Sequence, residues 1–176
     1  MRQRIFIIMS IMAVALVAAT AALAGTLTTT ATLTGTAGIS LGLPSNPTLT
    51  NTIDGTDQTV SYSPVLNLVD ARGNGAGWNV TISATAFSDG ATHSLAAGTL
   101  TAASQACKAG VSCTLATNAI TPPLTLSTTA AKFFNAALNT GLGKIDITPT
   151  IQVAIPGNSY AGTYTSTITL AAVSGP

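Results

Sequence analysis

The stretch "DARGNGAGWNVTI", residues 70–82, gathers an acid, a base, three glycines and the only tryptophan of the chain into thirteen positions. From Trp78 onward it alternates. Trp78, Val80, Ile82, Ala84 and Ala86 point one way, and Asn79, Thr81, Ser83 and Thr85 the other. A period of two is the signature of a strand with one buried face. Before the glycines the same pattern runs through Val60, Tyr62, Pro64, Leu66 and Leu68, with Pro64 predicting an edge or a bulge. Continued, it puts Asp70 and Arg72 on the leucine face with Cα atoms about 6.6 Å apart, where a carboxylate and a guanidinium pair directly. We read them as a structural pair beside Trp78. The glycines then connect two strands, because a phosphate cradle needs a following helix and the pattern here is strand-like. Trp78 is read as a core anchor, since burying roughly 150–250 Å² of ring is worth about 4–6 kcal/mol. The competing role for the ring is stacking, partly exposed, on a sugar or another protein.

The alternation recurs along the chain. Leu27, Thr29, Ala31 and Leu33 alternate with threonines, and Ile39, Leu41 and Leu43 follow. Late in the sequence Ile145, Ile147, Ile151, Val153 and Ile155 share a face, and Tyr164, Ile168 and Leu170 oppose Thr163, Thr165, Thr167 and Thr169. Turn signals separate these runs at Pro44-Ser45-Asn46-Pro47, Asp54-Gly55, Ser88-Asp89-Gly90 and Pro156-Gly157-Asn158. Many strands at short spacing predict an all-β fold: a mostly antiparallel β-sandwich, immunoglobulin-like or related. One segment is ambiguous. In "TAAKFFNAALNTG", residues 129–141, the alanines permit a short helix, whereas Phe133 and Phe134 suit a strand.

The N-terminus carries Arg2 and Arg4, an apolar run, and Ala22-Leu23-Ala24 before Gly25. Charged, apolar and small-x-small regions in that order predict a signal peptide, residues 1–24, cleaved after Ala24. An uncleaved anchor is the alternative, since about 20 apolar residues span a bilayer. Residues 25–176 are then a single domain, secreted and extracellular, long enough to bury about 70% of its unfolded surface.

Charge is scarce: six Lys and Arg against five acids, all aspartate, for a net charge of +1. A chain without a basic patch is a poor match for nucleic acid. Threonine and serine supply the polar surface, and threonine favours strands because its branched Cβ fits a pleated surface. Cys107 and Cys113 in "CKAGVSC" read as a disulfide-closed loop in an exported protein, worth about 2.4 kcal/mol by chain entropy. The single histidine, His93, has no triad assignable by spacing, and Asp54 and Asp57 in "DGTD" lack the further ligands of a calcium loop. We therefore expect no enzyme, no metal and no cofactor.

Asp70-x-Arg72, the glycine-rich loop, Gly77-Trp78-x-Val80, Asn139-Thr140-Gly141-x-Gly143, Ile155-Pro156 and Gly162-Thr163-Tyr164, followed by a terminal strand ending in proline, resemble the WxL domain family over roughly residues 65–176. The first Trp-x-Leu motif reads Trp78-Asn79-Val80. The place of the second falls on Leu170-Ala171-Ala172, without its tryptophan. The resemblance implies an exported protein that associates non-covalently with the cell wall of Gram-positive bacteria, with peptidoglycan or other surface proteins as partners. It marks Trp78, Val80, Asp70, Arg72, Tyr164 and Leu170 as candidate binding residues. A second reading rests on "TLTTTATLTGT", residues 26–36, an uncharged alternating stretch. Such a strand invites self-association, as in a surface fibre or layer built by strand addition.

Overall fold

The computed structural model describes residues 29–36 and 38–176. The expected signal segment, residues 1–24, lies outside them. Contacts divide the chain into two units, Met1–Thr32 and Leu33–Pro176. Of the first, residues 29–32 are described; they are exposed and form no strand.

In the second unit eleven strands follow one another: β1 (Ile39–Gly42), β2 (Gln58–Tyr62), β3 (Leu66–Asp70), β4 (Trp78–Ala84), β5 (Phe87–Ser88), β6 (Ser94–Leu95), β7 (Thr99–Cys107), β8 (Leu124–Thr125), β9 (Ala131–Ala136), β10 (Gly143–Ile155) and β11 (Ile168–Ser174). No helix occurs among the described residues, and every strand pairing is antiparallel. One sheet has the order β1-β3-β10-β7-β8, with β2 also on β10; a second is β11-β4-β9; β5 and β6 form a short hairpin. The fold is an antiparallel β-sandwich, as the alternation predicts.

The 13-residue strand β10 organises the larger sheet. Along one edge its first part pairs with β3, Gly143 opposite Asp70, and its last part with β2, Ile155 opposite Gln58. β7 runs along the other edge. Pro64 lies in the break between β2 and β3, where a residue without an N–H costs no ladder bond.

Leu66, Leu68, Leu100, Ile145, Ile147, Ile151 and Val153 from this sheet and Trp78, Val80, Ile82, Ala84, Phe133 and Phe134 from the other form one buried cluster. For β3, β4 and β10 these are the faces that the period-two pattern selects. The ambiguous segment resolves as strand β9. Val80 pairs with Phe134 and Thr81 with Lys132, so Phe133 is an extra residue in a bulge. A bulge breaks the alternation locally, and both phenylalanines consequently enter the core.

Two expectations are corrected. Ala86 does not continue the inward face of β4: the strand ends at Ala84, and Ala86 is exposed where the chain turns into β5. Residues 29–36, expected as an alternating strand, form none, and Leu33 is 95% exposed. Alternation specifies which face is buried but supplies no partner. The backbone hydrogen bond found here joins Thr36 N–H to the Ala71 carbonyl at 2.8 Å.

Candidate functional site

Asp70 ends β3 on its buried face, and the Arg72 N–H, just beyond the strand, donates to Asp70 Oδ1 at 3.1 Å. Arg72 Nε donates to Asp70 Oδ1 at 2.9 Å and Nη2 to Oδ2 at 2.8 Å, a two-point fork. The carboxylate is fully buried and the guanidinium almost so. Nη2 also donates to the Gly77 carbonyl at 2.7 Å and Nη1 to Ser174 Oγ, so the ion pair ties the loop to the end of β11. Hydrogen bonding to Arg72 holds the Asp70 carboxyl below its ordinary value of 3.8, against burial, which pushes it up.

Trp78 begins β4 next to this pair and is 0% exposed. Its indole N–H donates to the Gly141 carbonyl at 2.8 Å, and the ring stacks near Phe134, centroids 6.1 Å apart. The indole explains the glycine opposite it. A Cβ on Gly141 would come within 2.6 Å of Trp78 Nε1 and 2.5 Å of Ala136 Cβ, at a φ of +72° that disfavours other residues. Asn139, two residues earlier, also has a left-handed φ of 61°, and its N–H donates to the Gly75 carbonyl at 2.8 Å. Asn79 reaches the Gly175 carbonyl at 2.8 Å. Asp70-x-Arg72, the glycine loop with Trp78, and Asn139-Thr140-Gly141 therefore meet in one corner, and each is used in holding the others.

Val80 is buried one position further along that face. Leu170 faces the same core from β11, opposite Ile82, and is half-buried. It lines a small cavity of about 90 Å³ shared with Tyr62 and Ile151. The Tyr62 hydroxyl is buried there without a hydrogen-bond partner, and burial raises its pKa. Tyr164 belongs elsewhere. It lines an open groove of about 470 Å³ together with Tyr160, Phe87, Leu95, Ile155 and Asn51. β10 connects the two regions: Gly143, at the corner, and Ile155, at the groove, are separated by about 40 Å of extended chain.

Around the groove the minor motifs find ordinary polar roles. Asp54 Oδ1 accepts from the Thr56 N–H and hydroxyl, at 2.9 and 2.7 Å, and the hydroxyl is the main cause of its lowered pKa. Asp57 accepts from the Gly157 N–H at 2.8 Å. His93 Nδ1 lies 2.6 Å from Asp89 Oδ2, and its ring stacks on Tyr160 with centroids 4.0 Å apart. Sequence reasoning names Tyr164 but passes over Tyr160; the available signal was a pair of tyrosines four apart in a turn-rich, glycine-containing segment. Cys107 and Cys113 form the expected disulfide. No cluster of three or more metal-binding side chains occurs among the described residues.

The domain thus joins a buried, ion-paired corner to an open groove that no charged side chain lines. The WxL domain family, described as surface cell wall-binding, matches residues 44–176, and the chain belongs to that family. The matched region takes in every strand except β1. No curated protein and no solved structure matches the chain.

The Asp70–Arg72 pair yields a prediction in pH. A carboxyl whose pKa is depressed on folding contributes stability above its unfolded value, and that contribution is lost as pH falls below about 3.8. Asp70→Asn leaves Arg72 without its counter-charge and lowers stability by about 3 kcal/mol at pH 7. Urea unfolding at pH 7 and pH 3 should show the gap between the two proteins narrowing in acid. A gap that stays constant would mean that the Asp70 charge adds nothing to the corner.

Proposed function

We propose that the protein is exported and acts outside the cell, held without a covalent bond at the cell wall of a Gram-positive bacterium or on other proteins there. The observation that carries this reading is the match to a cell wall-binding family over nearly the whole sandwich. Two features support it. The N-terminus has the charge and apolar pattern of an export signal. The disulfide suits an oxidising compartment.

Incubating the purified chain from Gly25 onward with isolated Gram-positive cell walls and sedimenting the mixture tests the reading. The protein is expected in the pellet, and little affected by salt, because so few charges are available to drive adsorption. Protein that stays in the supernatant at every salt concentration would contradict direct wall binding.

A second reading, assembly into a surface fibre or layer, is favoured by one observation. The described residues of the uncharged stretch 26–36 form no strand and leave Leu33 almost fully exposed. Residues 29–34, exposed and outside any strand, are available to add to the sheet edge of another copy. Light scattering should then show oligomers that revert to monomers when residues 26–36 are deleted. A monomeric full-length chain would rule this reading out.

A further inference from the structure

Large aromatic side chains in this protein are few, four phenylalanines, three tyrosines and one tryptophan, and Tyr62, Trp78, Phe133 and Phe134 go into the core. Tyr160 departs from that use, being 65% exposed. Exposure alone means little, since single apolar side chains on a surface are ordinary. What separates Tyr160 from the other exposed side chains is the extent to which it is held. His93 stacks against one face of its ring, centroids 4.0 Å apart and planes 28° from parallel. The imidazole is fixed in turn by Asp89, 2.6 Å from Nδ1, and that carboxylate also accepts from the Ala91 N–H at 2.8 Å. The Tyr160 carbonyl accepts from the Tyr164 hydroxyl at 2.9 Å.

The segment carrying Tyr160 is tied down at both ends. On one side Ser159 N–H donates to the Pro156 carbonyl at 2.9 Å and Gly157 N–H to Asp57. On the other, Thr165 and Ser88 exchange two backbone hydrogen bonds of 2.9 Å. An aromatic ring that is propped from behind and left open in front has already lost the freedom that binding would otherwise remove. Tyr160 lines the groove of about 470 Å³, within the range of about 300–1,000 Å³ usual for small-ligand sites.

The lining selects among ligands. Phe87, Leu95, Val153 and Ile155 give an apolar floor, Asn51, Thr52 and Ser159 provide amide and hydroxyl groups, and no charged side chain lines the groove. A peptide bearing free carboxylates and amines would find no counter-charge here. A pyranose ring has one face of C–H groups that packs on an aromatic plane, and a rim of hydroxyl and acetamido groups that needs neutral hydrogen-bonding partners. We propose that this groove binds the glycan strand of the wall polymer, with one sugar ring stacked on Tyr160, its rim met by Asn51 and Ser159, and Tyr164 and His93 acting as positioning residues. The proposal rests on the wall-binding reading and places its contact at the groove, about 40 Å of strand away from the Trp78 corner.

Sedimentation with isolated Gram-positive walls, competed by soluble glycan chains from which an amidase has removed the stem peptides, tests it. Tyr160→Ala should weaken wall binding at least tenfold with an unchanged melting temperature. Tyr160→Phe and Tyr160→Trp, which keep a ring, should bind, and the peptide-free glycan should displace the wild-type protein. His93→Ala should weaken binding less than Tyr160→Ala and be rescued by a ring at that position. If the wild-type chain pellets and Tyr160→Ala pellets equally well, the wall reading stands and the groove assignment is wrong. Displacement by released stem peptides and not by glycan would overturn the sugar assignment. A wild-type chain that never pellets would overturn the wall reading and this proposal together.

Discussion

The Asp70–Arg72 fork beside the buried indole of Trp78 is the constraint on which the rest of the sandwich is arranged. A buried ion pair contributes little net stability by itself, because desolvating two charges offsets most of their attraction. Its effect here is to specify geometry. One guanidinium fixes the end of β3 through Asp70, the strand connection through Gly77 and the end of β11 through Ser174. The adjacent indole fixes the Gly141 turn that leads into β10. With this corner set, β10 starts opposite Asp70 and its register against β3 follows. A slip of one residue would turn Ile145, Ile147, Ile151 and Val153 out of the core.

Much of this was legible in the sequence, and the reasons differ by element. The inward faces of β3, β4 and β10 could be read because one-sided burial imposes a period of two on residue choice. The ion pair could be read because two opposite charges stand two residues apart in a chain with few charges to spare, although the expected strand stops at Asp70 and Arg72 pairs from just beyond it. Phe133 and Phe134 resisted, since a bulge suspends the alternation that identifies a strand. Residues 29–36 misled for the opposite reason: their alternation is regular, but a strand also needs a neighbour, and pairing is a property of the whole fold.

The candidate residues divided along the same line. Trp78, Val80, Asp70 and Arg72 carry the family resemblance, and all are buried or nearly so. They mark what the scaffold cannot do without, which explains why short motifs scattered over some seventy residues of sequence converge on one corner. The groove takes apolar residues from strands, among them Val60, Val153 and Ile155, but its polar residues and tyrosines, Asn51, Thr52, Ser159, Tyr160 and Tyr164, stand outside the strands, where no periodicity applies. Of its residues only Tyr164 was marked beforehand as a candidate for binding, through the Gly-Thr-Tyr motif. Tyr160 became visible only when His93, about seventy residues earlier in the chain, was found stacked against it. Separating a rigid corner from a distant, neutral groove lets the surface contact vary without disturbing the core.

The single tryptophan offers the most direct test of the central claim that the Asp70–Trp78 stretch is architecture. Its indole N–H gives one resonance, and hydrogen exchange at that proton reports whether the ring is sealed in the corner. The structure predicts exchange only at the rate of global unfolding, unchanged when saturating wall glycan is added. Rapid exchange in the free protein, slowed by ligand, would show an open ring that contacts the wall and would contradict the account.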